Sequence, residues 1–501
     1  MTAQVTAPDR VWGPAGGRSR PLPWGVPGGL AWLVAVASLA FFATAQYCHQ
    51  LYVDTYFDLY AGRFVAQHGV PQRNVVTVIA HGRPWVDQQW LGQLAYYRAW
   101  QVGGYAGVVM LSIALVAIGF AILGALMLRR GVSPLAMCGW TLAALAVSYG
   151  YATPRTQSFG YLFLPVVLWL VLADDGRSWP RACTWLSIPL LVVWANVHGS
   201  VLLGAGIVGL HAASRAWGAL RRRDQRGLAL YLLLGTCAVG SLICTPYGIG
   251  VVRYYGSLIG NPVLLRFGGE WAPPNPADAA SWAFFAVVVA TMVAMARAWR
   301  RGVRPEPGLA VFGAVTLGAA LLAFRNTPWF GVVGCLLAAD ALVGLAPAPA
   351  LAPFFRRALA ATLAAIAVVS AVGLARTPVG QYEARLPRQA IDVAANVAAH
   401  ASGLSVLSDQ WCSVGLLWLH PALLGRVAFD VREEQYSQAE LASLLDFMLA
   451  RGSEWRRGLR GYDLVVVSRR WHPRLATAMM QTPAWRVVYA ADSGVVLERV
   501  R

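Results

Sequence analysis

A long polar loop begins with the sequence Asp54-Thr-Tyr-Phe-Asp58-Leu-Tyr-Ala-Gly62-Arg63, directly after the first long apolar run. The loop extends to about Trp100, and no other connection between apolar runs is comparably long. If this segment is helical, Asp54 and Asp58 share one face, because residues four apart are neighbours on a helix. Charge near a bilayer is costly, so two carboxylates there indicate a functional site. The alternative is a solvated loop with a short amphipathic surface helix.

The composition is that of a membrane protein. Of the 501 residues, 57% are hydrophobic and only 13% are charged, with a mean hydropathy of +0.52. Soluble domains contain about a quarter charged residues. The 41 basic residues, all arginine, outnumber the 23 acidic ones but separate apolar runs instead of forming one basic face, which argues against nucleic-acid binding. The seven cysteines show no metal-ligand spacing and no disulfide framework.

The apolar runs predict about eleven membrane crossings, at roughly 20 residues per crossing. They lie near residues 26–46, 104–128, 134–152, 157–173, 183–197, 199–217, 228–246, 280–298, 308–324, 328–345 and 357–375. Residues 1–24 are expected to form a disordered cytoplasmic tail, and the first run is expected to be an anchor without a signal-peptide cleavage site.

The arginines predict the orientation. With the N-terminus inside, the inner connections contain most of them, including Arg129-Arg130, Arg221-Arg222-Arg223 and Arg300-Arg301. This bias follows the positive-inside rule. An odd number of crossings then places the C-terminus outside, so we expect a multi-pass protein of a bacterial plasma membrane with an extracytoplasmic C-terminal domain.

A change of composition near Arg376 predicts a second domain. Ser437–Ala450 has helical periodicity after a capping signal, with Glu440 three residues after Ser437. Short β-rich runs surround it, and the last two flank a hairpin turn: Leu404–Asp409, Arg426–Asp430, Asp463–Arg469, Trp485–Tyr489 and Val495–Val500. We predict an α-helical polytopic domain over residues 25–375, with its large first outer loop at 47–100, and a small extracytoplasmic α/β domain over 376–501.

The outer connections carry most of the unusual polar groups. They include Asp87, Gln89, Trp90, Asn196, His198, Tyr247, Arg266, Glu270 and Trp271. Each has an ordinary explanation as a turn residue, an interfacial tryptophan or a solvated side chain. Arg155 and Arg325 are harder to explain, because they lie at outer helix ends against the arginine bias, and an arginine fork suits phosphate. Since six separate segments contribute, we expect one shared outer cavity.

Familiar soluble-enzyme motifs do not occur. The sequence contains no Walker A loop, no dinucleotide fingerprint, no His-Glu-x-x-His and no Gly-x-Ser-x-Gly. Instead, over about residues 25–345, the chain resembles the GT-C superfamily of integral-membrane glycosyltransferases, in particular a widespread bacterial branch. The positions that carry the resemblance are Asp54 with Gly62, Trp85 with Trp90, Arg155, Trp194-Ala-Asn196-Val-His198-Gly199, Thr245-Pro246-Tyr247-Gly248 and Glu270-Trp271.

The resemblance implies a sugar donor linked to polyprenyl phosphate and presented from the lipid bilayer, and an acceptor whose identity the sequence leaves open. Asp54 would then act as base or position the acceptor, with Asp58 in reserve, and Arg155, Arg325 and Arg266 would bind the donor phosphate. The remaining residues would line the cavity: Asp87, Gln89, Trp90, Asn196, His198, Tyr247, Glu270 and Trp271.

The chain departs from the branch at four positions. Tyr52 stands in place of an aspartate and Asp58 in place of a histidine, while Gln88 and Gln89 replace a His-Glu pair. These changes weaken the case for a metal site, so no metal ligands are predicted. A divalent cation (Mg²⁺ or Mn²⁺) is the one cofactor left to test. Tyr52, Gln88 and Gln89 also favour an alternative function, a non-catalytic lipid-glycan transporter or cell-envelope assembly scaffold derived from the same fold.

Overall fold

The computed structural model describes residues 36–37, 39–41, 45, 50–174, 179–258, 261–267, 269–342, 353–401, 403–452 and 454–500. The predicted tail, residues 1–24, and most of the first apolar run lie outside these described residues.

The first part of the chain is helical. Its helices are α1 (Val53–His68), α2 (Trp90–Arg129), α3 (Pro134–Ser148), α4 (Ser158–Leu172), α5 (Ala182–Trp185), α6 (Ser187–Ala195), α7 (Val201–Arg221), α8 (Gln225–Gly240), α9 (Gly250–Leu258), α10 (Pro262–Phe267), α11 (Trp282–Arg300), α12 (Pro307–Leu322), α13 (Thr327–Leu342) and α14 (Pro353–Arg376). The helices pack in pairs, among them α1 with α2, α2 with α4, α7 with α8, and α13 with α3, α11 and α12.

Three helices among the described residues are long and apolar enough to cross a membrane. They are Trp90–Arg129, Gln225–Ile243 and Ala279–Arg300. Shorter apolar helices are Pro134–Ser148, Ser158–Leu172, Ala182–Ala195, Pro307–Leu322 and Ala361–Arg376. The arrangement is that of a polytopic membrane protein, while the total of eleven crossings stays a prediction.

Helix α2 combines a loop helix with a membrane helix. Gly103 and Gly104 have non-helical backbone angles, and Gly104 has a positive φ of 57° that favours glycine. The chain therefore bends at this point, where the predicted second apolar run begins. The part of α2 before the bend belongs to the polar loop, and the part after it belongs to the helical bundle.

The last part of the chain is a small α/β domain. Its elements are α15 (Val379–Tyr382), α16 (Arg388–Ala399), β1 (Val406–Ser408), α17 (Gln410–Leu419), α18 (Gln438–Leu449), β2 (Leu464–Ser468), α19 (Pro473–Met480), β3 (Trp485–Ala490) and β4 (Gly494–Arg499). The strand order is β1-β2-β4-β3, with β1 parallel to β2 and the other pairs antiparallel. The predicted capping box of Ser437 and Glu440 is confirmed at the start of α18.

One predicted strand is wrong. Arg426–Asp430 is not a strand of the sheet, because Val427 makes only isolated bridges, to Val406 and to Thr77. The reason is that part of its hydrogen bonding goes to the polar loop: Val78 and Ile79 donate their N–H groups to the carbonyls of Val427 and Ala428, at 2.9 and 3.0 Å. The segment thus joins the loop to the C-terminal domain.

Gly62 in α1 allows α1 to lie directly against α2. An added Cβ at this position would overlap the main-chain carbonyl of Gln93 and crowd the Cβ of Tyr97. Backbone cannot move aside as a flexible side chain can, so a larger residue would separate the two helices. Because α1 carries Asp54 and Asp58, this contact also places the two carboxylates.

We predict that Gly62→Ala lowers the free energy of unfolding by about 1–3 kcal/mol, as overpacking typically does. Gly209→Ala is the matched control, since an added Cβ on α7 meets nothing within 4 Å. It should be neutral or slightly stabilising, because alanine is the better helix former. Unfolding of both purified variants in detergent checks this, and equal stability of the two would contradict the close-packing argument.

Candidate functional site

Four charged side chains from four separate segments form a continuous chain. Nη1 of Arg155 donates to Oδ2 of Asp54 at 2.7 Å and to Oε2 of Glu270 at 3.3 Å. Nη2 of Arg155 also donates to Glu270, at 3.4 Å. The other carboxylate oxygen of Glu270 lies 3.5 Å from Nη1 of Arg325. The structure thus brings together Asp54, Arg155, Glu270 and Arg325, which we call the charge chain.

Short turns hold the second half of the charge chain. Glu270 lies in the 3₁₀ turn Gly269–Trp271, and Arg325 in the 3₁₀ turn Phe324–Asn326. The two turns are tied by a main-chain hydrogen bond from Phe324 to Ala272, 2.8 Å long. The guanidinium carbon of Arg325 lies 4.0 Å from the centre of the Trp271 ring, a cation–π contact that fixes the side chain.

The two arginines differ in how much they can still bind. The Arg155 side chain is 10% exposed and serves two carboxylates, whereas that of Arg325 is 25% exposed and serves one. Burial alone would raise the pKa of Glu270, but Arg325 and Arg155 outweigh it and lower that pKa. Two guanidiniums therefore face two carboxylates, and Arg325 is the more available fork for a further anion.

Asp58 lies beneath the charge chain instead of facing it. It is 1% exposed, and its Oδ2 accepts the backbone N–H of Thr156 at 2.8 Å. Burial raises the pKa of Asp58 well above its usual value, with a smaller contribution from Asp54. Thr55 donates to the carbonyl of Pro154 at 2.6 Å. Thr55 and Asp58 on α1 therefore fix the segment that carries Arg155.

A second set of contacts holds the residues around α6 and α7. Nε1 of Trp90 donates to Oδ1 of Asn196 at 2.9 Å, and Nδ2 of Asn196 donates to the carbonyls of Val192 and Cys244. These side chains satisfy one another and brace the helix ends. His198 is close enough to the charge chain to be influenced by it: burial, then Arg325 and Arg155, lower the pKa of His198 to about 3. Its imidazole is neutral at physiological pH.

Other predicted residues lie apart from the charge chain. Gln89 accepts a hydrogen bond from the Thr156 hydroxyl and so contacts the segment of Arg155. Asp87 is 3% exposed and accepts from Gln93 at 3.0 Å, and burial raises its pKa to about 7. Tyr247 donates to the carbonyl of Pro71, 2.8 Å away. Arg266 is bound at 2.9 Å by Asp446 of the C-terminal domain, which leaves it outside the cluster of the other two arginines.

Glu433 of the C-terminal domain carries a carboxyl group that no sequence pattern indicates as part of a site. It begins the 3₁₀ turn Glu433–Gln435, which packs against α9, and its carboxylate interacts electrostatically with Asp54 and Arg325. Burial first, and Glu434 next, raise the pKa of Glu433 to about 8. The only signal in the sequence is an acidic pair shortly before a capping box, which is common on protein surfaces.

The charge chain does not fit a divalent cation. Among the residues that the structure describes, no group of three or more histidine, cysteine, aspartate or glutamate side chains is placed to hold one. Asp54 and Glu270, the two partly exposed carboxylates of the charge chain, already bind a guanidinium. Mg²⁺ and Mn²⁺ require several oxygen ligands at once.

Known structures share this fold. The structure matches that of ArnT from Cupriavidus metallidurans bound to undecaprenyl phosphate, with a TM-score of 0.51 and 16% identity over 95% of this chain and 98% of ArnT. It also matches AglB, an oligosaccharyltransferase from Archaeoglobus fulgidus in complex with an inhibitory peptide and a dolichol-phosphate. That match has a TM-score of 0.53 and 11% identity, over 93% of this chain and 74% of AglB. Comparison of the sequence with protein-family models and with curated proteins gives no match.

The chain therefore shares its fold with ArnT and AglB, which agrees with the fold that the resemblance to the GT-C superfamily implies. The chain is a polytopic, mostly helical membrane protein with a small C-terminal α/β domain.

We predict that Asp58→Asn changes how stability depends on pH. A carboxyl with a raised pKa contributes stability that is fully present below its unfolded pKa of about 4, and that is lost as pH rises through the folded value. The asparagine can still accept the N–H of Thr156 but has no proton to lose. Relative to the parent, the variant should gain up to about 1.4 kcal/mol of unfolding free energy per pH unit above pH 5.

Unfolding in detergent at several pH values measures this difference. Asp58→Ala serves as the comparison, because it leaves the Thr156 N–H unsatisfied and should cost about 1–3 kcal/mol. Parallel pH profiles for the parent and Asp58→Asn would show that Asp58 is not a buried carboxyl with a raised pKa.

Proposed function

We propose that the protein is a glycosyltransferase that moves a sugar from a polyprenyl-phosphate-linked donor to an acceptor on the outer face of a bacterial plasma membrane. The observation that carries this proposal is the charge chain, which ends in a partly exposed arginine fork, on a fold shared with enzymes of that class. A membrane domain suits such a donor, because the prenyl tail remains in lipid while the phosphate lies at the boundary with water.

The neighbours support the choice of lipid. The ArnT structure contains undecaprenyl phosphate, and the AglB structure contains a dolichol-phosphate. Both ligands place a phosphate on a polyprenyl chain. We propose a ligand of the same chemistry for this chain, with its phosphate bound by Arg325 and, after some rearrangement of its contacts, by Arg155.

The chemistry needs a phosphate site and a proton acceptor. An acceptor hydroxyl attacks the anomeric carbon, the bond from that carbon to the phosphate oxygen breaks, and polyprenyl phosphate leaves with the electron pair. Guanidinium groups stabilise the charge that develops on the leaving phosphate. The proton of the hydroxyl passes to a carboxylate. Asp54, the residue that the sequence nominates, has one oxygen bound by Arg155.

We predict that Arg325→Ala weakens undecaprenyl phosphate binding about 10- to 100-fold, since a hydrogen bond from a charged donor contributes roughly 1.5–3 kcal/mol. Arg266→Ala is the matched control, because that guanidinium is bound by Asp446. Its dissociation constant should equal that of the parent. Retention of radiolabelled undecaprenyl phosphate by the purified proteins in nanodiscs measures both constants.

Two results would count against the proposal. A stronger effect of Arg266→Ala than of Arg325→Ala would move the phosphate site towards the C-terminal domain. Tight lipid binding without sugar transfer from any donor would instead favour the non-catalytic transporter or scaffold.

A further inference from the structure

Glu270 joins the two arginines of the charge chain, and its contacts with them are loose. Its Oε2 accepts hydrogen bonds from Nη1 and Nη2 of Arg155 at 3.3 and 3.4 Å, and its Oε1 lies 3.5 Å from Nη1 of Arg325. Charge-assisted hydrogen bonds are usually about 2.7–2.9 Å long. The contact of Asp54 with Arg155 has this length, 2.7 Å. The Glu270 carboxylate therefore lies between two guanidiniums without binding either of them at the best distance.

Each arginine is also held by a contact that does not involve the Glu270 side chain. Arg155 donates to Asp54, which lies on a different element. Arg325 packs against the ring of Trp271, with its guanidinium carbon 4.0 Å from the ring centre. Both guanidiniums would therefore keep their positions if the side chain of Glu270 turned away from them.

The Glu270 side chain can turn away without movement of the backbone. It is 30% exposed, and its hydrogen-bond and ion-pair partners among the residues that the structure describes are the two arginines. The turn that carries it is fixed by the main-chain hydrogen bond between Phe324 and Ala272. A partly exposed ion pair contributes little stability, because water can replace it. Rotation about the side-chain bonds is therefore enough to move this carboxylate into water.

Charge balance requires such an exchange when a phosphate enters. Asp54 and Glu270 already balance the two guanidiniums, so an added anion would leave excess negative charge in a largely buried site. The phosphodiester of a polyprenyl-phosphate sugar carries one negative charge, the same as a carboxylate. Phosphate oxygens also suit the forked donors of arginine. A phosphate can therefore take the place of the Glu270 carboxylate between Arg155 and Arg325.

We propose that Glu270 occupies the phosphate position in the empty protein and determines which phosphates can enter it. This inference rests on the proposed function, since the ligand is the phosphate of a polyprenyl lipid. Any phosphate must displace the carboxylate, and this requirement weakens its binding. A lipid phosphate still binds, because its prenyl chain keeps it at the membrane and raises its effective concentration at the site. Inorganic phosphate has no such chain and is excluded.

The first experiment measures binding of radiolabelled undecaprenyl phosphate to the purified full-length protein in nanodiscs. Glu270→Gln keeps the size of the side chain and removes its charge. It should bind the lipid at least about fivefold more tightly than the parent, since no carboxylate has to be displaced. Labelled undecaprenol, which has no phosphate, should be retained equally by both proteins. Unfolding in detergent verifies that the variant is folded.

Two further variants separate displacement from a general effect of charge. Asp54→Asn removes a carboxylate from the same guanidinium, but that carboxylate holds Arg155 at 2.7 Å and is not the one displaced. This variant should bind undecaprenyl phosphate no more tightly than the parent. Glu270→Ala should bind more tightly, as Glu270→Gln does, because both lack the competing carboxylate.

Inorganic phosphate tests the exclusion directly. The labelled lipid is kept well below its dissociation constant, and inorganic phosphate is added as a competitor. The concentration that halves lipid retention should be at least about fivefold lower for Glu270→Gln than for the parent. Equal concentrations for the two proteins would show that Glu270 does not exclude free phosphate.

The other outcomes are also distinct. Weaker or equal lipid binding by Glu270→Gln would show that Glu270 only braces the arginines, and would overturn the inference while leaving the proposed function intact. Equal tightening in Asp54→Asn would assign the effect to net charge, with the same consequence. Absence of undecaprenyl phosphate binding by the parent would refute both. Binding without sugar transfer from any donor would refute the proposed function alone.

Discussion

The charge of Arg155 is the constraint on which the candidate site depends. A largely buried guanidinium is costly unless carboxylates and hydrogen bonds compensate it. Asp54 on α1 and Glu270 in a 3₁₀ turn provide that compensation. Asp54 is 101 residues from Arg155 in sequence, and Glu270 is 115 residues from it. Removing either carboxylate would leave part of the Arg155 charge uncompensated. The position of α1 and the position of the turn that carries Glu270 are therefore coupled through this one side chain.

The C-terminal domain packs directly against the polar loop that carries Asp54. Residues of the polar loop, of helix α2 and of this domain share one hydrophobic core, which includes Tyr60, Trp85 and Tyr105 on one side and Tyr382 and Trp418 on the other. Polar contacts within that core, such as the Tyr105 hydroxyl to Glu383 at 2.7 Å, fix the register between the two parts. A domain joined in this way can contribute a side chain to the site with little loss of conformational entropy on binding.

Sequence reasoning identified the polar positions better than it identified their partners. Hydropathy indicated the helical bundle, a capping signal located the helix that begins after Ser437, and arginines at outer helix ends drew attention to Arg155 and Arg325. It placed Asp58 beside Asp54 as a second candidate, because helical spacing says which residues share a face but not how deeply each is buried. Glu433 could not be found at all, since its nearness to Asp54 arises from domain docking and leaves no local pattern.

A structure of the protein with undecaprenyl phosphate bound, determined by electron cryomicroscopy in nanodiscs, tests the central claim most directly. We expect the phosphate oxygens to lie about 3 Å from the guanidinium nitrogens of Arg325. We also expect Asp54 and Glu270 to remain in contact with Arg155 or to exchange one of its hydrogen bonds for the phosphate. A phosphate bound on another surface, with the four side chains unchanged and distant from it, would contradict the account.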